Sequence, residues 1–460
     1  MSLWDLKQIY DALKCKINIK ENIKFNNVII DSRDNLKGSL FIPIKGQNFD
    51  GHDFIKQALD KGANASLINR DKIKLFKNHE KLIPVKDTLK SLEMLAIYAR
   101  NRASNCTMIC ITGSSGKTTL KEWLKHSLEK DFKTYANFGN FNNQIGMPLS
   151  LARMPKNTEL SILEIGMNNK GEIKKLSKIA SPNIAIITNI GEAHIGNFKS
   201  KNEIANEKSK IFTPLEKNGI AIIPRDDFYF NYLESKAFQY TKNIYSFGIS
   251  GKSSFQILKN KKNGCDFIIF NKCISLKKIN FSLKWKTNIS IILGISSILK
   301  LQIRRIKKQI DFLKPLRGRG EIHNLSIGRK KIILIDESYN SNPDSLSLSI
   351  KSIKEGIFKS KRKVCIIGDM LELGKFSKNL HQNIVSELDD PKISIVITVG
   401  KYSKVITEKL SKKIQTRHFN NYENVYNELL KLIKNNDVIM IKGSNSIKLN
   451  KICEKFISLQ

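Results

Sequence analysis

The sequence predicts an α/β protein of three domains, the central one built on a parallel sheet and the last one Rossmann-like. Three observations carry this reading. A chain of 460 residues is too long for one hydrophobic core, because single cores stop growing at about 250–300 residues. Short apolar runs alternate with segments long enough for crossover helices, the pattern of parallel sheets. The glycine turn Gly113-Ser114-Ser115-Gly116-Lys117-Thr118-Thr119 follows one such run and opens a helical stretch. With 41% apolar and 26% charged residues the chain can fill such cores, which excludes wholesale disorder. No period of about 20–50 residues repeats, which excludes a solenoid.

The first hundred residues contain strand-like runs at Val28 to Ile30, Ser39 to Ile44 and Ala63 to Ile68. Helical spacing places Phe54, Ala58 and Leu59 on one face of a helix over Asp53 to Lys61. It also places Leu92, Leu95, Ala96 and Ala99 on one face of a helix over Lys90 to Arg102. From Cys106 the pattern becomes strand, glycine turn, helix. Thr107 to Ile111 reads as a strand, and the helix from Lys117 aligns Leu120, Trp123, Leu124 and Leu128. Buried-strand runs follow at Leu160 to Ile165, Ile184 to Thr188 and Gly219 to Ile223. The stretch from Tyr229 to Ile279 predicts an antiparallel extension, and Asn288 to Ile303 a closing helix. Beyond the connector Arg317-Gly318-Arg319-Gly320 lie four more runs, Ile332 to Ile335, Val364 to Ile367, Ile393 to Val399 and Val438 to Ile441. Helices over Asp344 to Ile357 and Tyr422 to Lys434 alternate with them, as in a doubly wound sheet.

The formal net charge is +37. Such an excess attracts polyanions, but the lysines are spread along the chain and no zinc-finger, aromatic RNA-binding or basic heptad motif accompanies them. An enzyme of phosphorylated, acidic substrates accounts for the sign equally well. The seven cysteines are scattered, with no C-x-x-C pair, which predicts buried free thiols in a reducing compartment. The amino-terminal segment has no signal-peptide core, and the run Ile289 to Leu299 is too short to span a bilayer. The expectation is a cytoplasmic, soluble protein with no membrane insertion.

Chemistry concentrates at strand ends. In the turn from Gly113 to Thr119, backbone N–H groups can cradle phosphates at a helix N-terminus. Lys117 would offset β/γ-phosphate charge, and the Thr118 hydroxyl would reach Mg²⁺. Glu164 ends the next run, where a carboxylate faces the ligand crevice; it can hold a metal ion or cap a helix. His194 follows a third run and suits either a structural role or a metal or phosphate contact. Asn142 and Asn143 sit in a polar turn that can fix a substrate carboxyl or amide, or be ordinary loop chemistry. Asp336-Glu337-Ser338-Tyr339-Asn340-Ser341-Asn342-Pro343 lies past a fourth run and reads equally as a turn. On residue type alone, Lys208 is a solvated surface lysine.

Together these segments resemble the Mur ligases, the ATP-dependent amide-bond ligases of peptidoglycan precursor synthesis, and within them the branch that adds D-alanyl-D-alanine. The matching segments are TGSSGKTT, NFGNFNNQIGMPLSL, LEIGMNNKGEI, TNIGEAHIGNF, EIANEKSKIF, DESYNSNP, GDMLELG and IKGSNS, with IDSR and GSLFIPIKGQNFDGHDFI before them. The resemblance implies a uridine-nucleotide domain over residues 1–104, with Ser32 and Arg33 in IDSR, an ATP domain over 105–313, and a dipeptide-binding domain over 314–460. It implies UDP-N-acetylmuramoyl-tripeptide and D-alanyl-D-alanine as partners, joined through an acyl phosphate. Lys208 matches a carbamylated lysine, Glu164 and His194 the residues of a second Mg²⁺, and Thr118 the ligand of the first. Asn288 matches an asparagine near adenine, Arg319 an arginine reaching ATP from the domain junction, and Glu337 a nucleotide-side aspartate; Tyr339 and Asn340 fall at the substrate. Three departures stand out: Thr287 replaces a usual histidine, Lys210 a frequent acidic residue, and Glu337 the aspartate. A monomer without a specific nucleic-acid partner is expected. The rival readings are another Mur or folylpolyglutamate-type ligase, a P-loop nucleic-acid motor, and a binding-only relative.

Overall fold

The structure, a computed structural model, describes residues 2–15, 23–76, 80–258, 264–277, 283–355 and 358–458. Of the predicted stretches, residues 259–263 and 278–279 of the antiparallel extension and 356–357 of the helix from Asp344 lie outside the described residues.

Among the described residues there are a four-stranded, a nine-stranded and a six-stranded sheet, each flanked by helices, besides a two-stranded antiparallel pair near the amino terminus. The first is wholly parallel and runs Asn27–Ile29, Ser39–Phe41, Ala65–Asn69, Leu82–Val85. Its predicted helix is split. Gly51–Phe54 is a 3₁₀ turn, Ile55–Asp60 is the α-helix, and Ile55 and Ala58 are buried while Phe54 is exposed. The face was misread because the 3₁₀ turn shifts the helical phase. The helix Thr88–Arg102 buries Leu92, Leu95, Ala96 and Ala99 as their spacing predicts.

The nine-stranded sheet decides where chemistry can occur. Thr107–Thr112 lies between Leu160–Glu164 on one side and Ile184–Ile187 on the other, all parallel. Register sets Glu164 opposite Ile111 and Ile187 opposite Thr112, so the three carboxyl ends finish level. The chain runs on from Thr107–Thr112 to Thr134–Ala136 at one edge, and from Ile184–Ile187 to Ile220–Pro224 on the opposite side, so the crevice beyond these two adjacent ends is a topological switch point, where ligands bind in open α/β sheets. The predicted antiparallel extension starts later than expected. Phe230–Phe238 is a helix and Asn243–Gly248 still pairs in parallel; only the pairs from Phe255–Ile257 through Gly264–Ile269 to Lys272–Lys277 are antiparallel. The closing helix spans Leu283–Ile298 and not Asn288 to Ile303: Lys300 turns left-handed, and a second helix covers Ile303–Ile310.

In the six-stranded sheet the strand Lys330–Glu337 pairs in parallel with Val438–Lys442, followed by Lys363–Gly368, Ile393–Val399 and Gln415–Phe419. The edge strand Glu321–Ile327, antiparallel to Lys330–Glu337, was not predicted. Its exposed and half-buried polar residues give no continuous apolar run. The helix Pro343–Lys354 starts on a capping box between Asn342 and Ser345, with Pro343 in its first turn.

Side chains lock the parts together. The Trp4 indole donates to the Ala152 carbonyl at 2.8 Å while the Arg102 guanidinium stacks 4.0 Å above its ring. Trp123 donates to the Lys314 carbonyl at 2.8 Å and packs edge-on against Trp285. Six of the cysteines are buried and Cys273 is exposed, so one thiol departs from expectation.

Leu124 is fully buried beneath the helix Lys117–Leu128. Leu124→Ala should destabilise the protein by about 2–5 kcal/mol through lost transfer energy and a cavity, read as a lower urea midpoint of the tryptophan fluorescence transition.

Candidate active site

The phosphate loop is built by its backbone. Gly113 has φ +148° and Gly116 +83°, conformations that L side chains rarely adopt. Gly116 is the N-cap of the helix Lys117–Leu128, so the free N–H groups of its first turn face the crevice. No heavy atom lies within 4 Å of where a Gly116 Cβ would stand, whereas a Gly113 Cβ would overlap the Thr188 hydroxyl. The loop is braced from the neighbouring strand end. Thr188 Oγ1 donates to the Ser115 carbonyl at 2.6 Å, Ser115 N–H donates to Asn189 Oδ1 at 2.9 Å, and Ser114 Oγ exchanges hydrogen bonds with both Gly191 N–H and its carbonyl. Lys117 curls back, its ammonium donating to the Gly113 carbonyl at 2.7 Å. Burial lowers its pKa, Arg319 adds to that effect, and Glu164 and Glu372 oppose it.

Glu164, 2% exposed, is the polar hub of the floor. One carboxylate oxygen accepts from the Thr118 hydroxyl and the other from the Asn142 amide, each at 2.7 Å. Asn137 clamps the Glu164 backbone, accepting from its N–H at 2.9 Å and donating to its carbonyl at 3.2 Å. Asn143 turns away from this hub: its side-chain oxygen accepts from the N–H groups of Ile145 and Gly146, at the start of the helix Gly146–Ala152.

The six-stranded unit closes the other side. Arg319 lies 4.0 Å over the Tyr339 ring. Glu337 and Lys442 are register partners on parallel strands, so their side chains share a face, and Lys442 Nζ lies 3.2 Å from Glu337 Oε2 and donates to the Asn340 carbonyl. His194, at φ +63°, has Nδ1 2.6 Å from Glu372 Oε2. That contact first, and also the Lys117 charge, holds the Glu372 carboxyl below its usual pKa against the effect of burial.

One cavity thus brings together Ser114, Ser115, Gly116, Lys117, Thr118, Thr119, Asn142, Asn143, Glu164, His194, Arg319, Glu337, Tyr339 and Asn340. Gly113 lies behind the loop. Lys208 does not line the cavity but is buried close by, 2% exposed, and its pKa falls well below the lysine norm through burial and the Lys117 charge. The surface reading of Lys208 is therefore wrong: its helix, Lys201–Ser209, packs inward on Ile204, Ala205 and Lys208. Asn288 is also buried outside the cavity lining, with Nδ2 unpaired. Ser32 and Arg33 sit elsewhere, in the first sheet's loops; Ser32 donates to Gln57 Oε1 at 2.8 Å and Arg33 pairs with Asp31 at the surface. Glu372, Lys442 and Asn342 also line the cavity and were assigned no role from sequence. Each follows or ends a strand of the six-stranded sheet, and that position was the available signal.

A phosphate loop at the switch point of a parallel sheet, roofed by a second doubly wound unit, defines a multidomain P-loop nucleotide-binding protein. Residues 24–100 match the Mur ligase family catalytic domain, 111–291 the Mur ligase middle domain, and 318–445 the Mur ligase glutamate ligase domain. A UDP-N-acetylmuramoyl-tripeptide–D-alanyl-D-alanine ligase of Rickettsia prowazekii is 37% identical over 99% of this chain and 100% of its own, and one of Bacillus subtilis 32% identical over 95% and 94%. The chain belongs to the Mur ligase family. MurF from Acinetobacter baumannii superposes with a TM-score of 0.87 at 24% identity, each chain 99% covered. MurF from Thermotoga maritima, solved with ADP, superposes with a TM-score of 0.80 at 27% identity, covering 94% of this chain and 96% of that one.

Gly113→Ala should push the loop off Thr188 and weaken nucleoside triphosphate binding about tenfold or more, equivalent to about 1.4 kcal/mol. Calorimetric titration of the folded variant checks this.

Proposed function

We propose that this chain is the ATP-dependent ligase that joins D-alanyl-D-alanine to UDP-N-acetylmuramoyl-tripeptide in peptidoglycan precursor synthesis. The observation that carries an ATP-dependent ligase is the shared cavity, in which the phosphate loop faces Arg319 and Tyr339 of a second domain. The identity of the substrates rests on full-length relatives of that name. The proposed division is residues 1–104 for the uridine nucleotide, with Ser32 and Arg33 at its loop, 105–313 for ATP and 314–460 for the dipeptide.

The tripeptide carboxylate attacks the γ-phosphorus of ATP, the bond to the ADP oxygen breaks, and an acyl phosphate forms. The dipeptide amine then attacks the acyl carbon, loses a proton, and inorganic phosphate leaves. Bringing a carboxylate to a triphosphate is opposed by like charge. Lys117, Arg319 and the N–H groups opening the helix Lys117–Leu128 offset that repulsion where charge develops. Asn142, Tyr339 and Asn340 line the space between the two domains and orient the reacting groups. Seating of the second domain excludes water, which would hydrolyse the acyl phosphate. Asn288, with its unpaired buried amide, is assigned to the adenine side, as is Glu337.

Magnesium fits the donor set. Among the described residues no three His, Cys, Asp or Glu side chains form a cage for a metal, but Mg²⁺ is held by one or two carboxylates together with phosphate oxygens and water. Thr118, Glu164 and His194 face the cavity and would hold two ions, which supply charge neutralisation when bound. Lys208 would join them as a carbamate. A buried lysine whose charge is disfavoured is available as the neutral amine, and its nitrogen attacks CO₂, losing one proton and becoming an anion.

No helix among the described residues is long and apolar enough to cross a membrane. We assign a cytoplasmic monomer whose positive charge gives only weak, salt-sensitive binding to nucleic acid.

Phosphate release with UDP-muramoyl tripeptide and a panel of amine acceptors tests the reading. Product with D-alanyl-D-alanine is expected; ligation of free D-glutamate or diaminopimelate alone would overturn it. Lys117→Ala should lower turnover about 10²-fold or more in a folded protein. Lys208→Ala should be nearly inactive and partly restored by short carboxylic acids, whereas full activity in Lys208→Arg, which keeps a cation and cannot form the carbamate, would exclude it.

A further inference from the structure

The loop carrying His194 is also where the six-stranded unit docks, and the contacts there are unusually close. Gly196 N–H donates to the Glu372 carbonyl at 3.0 Å. A Cβ on Gly196 would stand 2.6 Å from Gly374 N and 2.8 Å from the Glu372 carbonyl oxygen, both immovable backbone atoms. A Cβ on Gly191 would overlap the Asp344 carboxylate, which accepts from Glu192 N–H at 2.8 Å. Neither glycine has positive φ, so what each position requires is space for the other domain and not a glycine-only backbone. Asn342 donates from the same side to the Ser114 carbonyl at 3.3 Å.

Within this interface His194 and Glu372 meet, each in the left-handed region at φ +63° and +64°. A non-glycine residue is sterically disfavoured there and is retained where surrounding structure over-determines it. Here the backbone on both sides brings an imidazole and a carboxylate within 2.6 Å across a domain boundary, with Nδ1 buried and off the line of a hydrogen bond. His194 lines the cavity, and a carboxylate this close to Nδ1 of a ligating histidine biases its ring orientation.

Resting on the ligase reading above, we propose that Glu372 is the positioning residue for His194, and that Gly196 and Gly191 form the seat that lets the second domain deliver it. His194 then takes up its working orientation only when that domain is docked. In this way closure is coupled to the geometry of the site as well as to exclusion of water.

The full-length protein tests this. Glu372→Ala should lower kcat about 10–100-fold with the KM for ATP and the thermal midpoint unchanged, and Glu372→Gln, which keeps a side-chain oxygen beside Nδ1, should recover most of the loss. In ¹⁵N-histidine spectra, one imidazole, identified by its disappearance in His194→Gln, should move in Glu372→Ala and stay near its wild-type position in Glu372→Gln. Gly196→Ala should bind ATP normally, show a larger radius of gyration by X-ray scattering, and share the kcat defect; it carries the test if Glu372→Ala does not fold. Wild-type kcat in Glu372→Ala or Gly196→Ala, or an unmoved His194 resonance, would overturn the proposal. A wild-type protein that forms no ligation product would instead refute the ligase reading, and the spectra and scattering would still decide the contact.

Discussion

Ser114 donates its hydroxyl to the Gly191 carbonyl at 3.0 Å and accepts from the Gly191 N–H at 2.8 Å, tying the phosphate loop to the loop that carries His194. Much of the site depends on this pair of hydrogen bonds between the segments beyond two strand ends. It fixes the loop against the switch point of the sheet, while the Asn342 amide and Asp344 carboxylate of the second domain reach the same two segments. The phosphate loop, the His194 loop and the docked second domain therefore share one small patch of backbone. Two glycines keep that patch open to the partner domain, and a third, Gly113, keeps it clear of Thr188.

Electrostatics follows from this placement. Lys117 and Lys208 are drawn inward near one another, and burial disfavours both charges. Two cations buried near one another favour negative charge at this place. The Glu164 carboxylate, already shared between Thr118 and Asn142, keeps the floor polar and ordered before any ligand arrives. The wider excess of +37 is distributed over the whole chain and has a separate meaning from this local arrangement.

The alternating runs and the glycine turn located the parallel strands and the phosphate loop to within a few residues, because helix and strand periods are written in local sequence. Errors arose where a local rule was interrupted: the 3₁₀ turn at Gly51–Phe54 displaced a helix face, and Lys300 ended a helix earlier than its apolar pattern suggested. The edge strand Glu321–Ile327 escaped because its mixed polar pattern lacks the buried run of a central strand.

By itself the sequence determined the α/β class, the position of the phosphate loop, and that Glu164 and His194 stand just beyond strands. Motif resemblance extended this to the family, but residue type alone left Lys208 on the surface. Tertiary structure decided the rest: the strand order that puts the switch point between Thr107–Thr112 and Ile184–Ile187, the burial of Lys208, the turn-bracing use of Asn143, and the meeting of His194 with Glu372. The division has a physical cause. Periodicity and turn chemistry act over a few residues, whereas burial, charge environment and cross-domain contact are set by groups far apart in the chain, brought together only when the sheets pack.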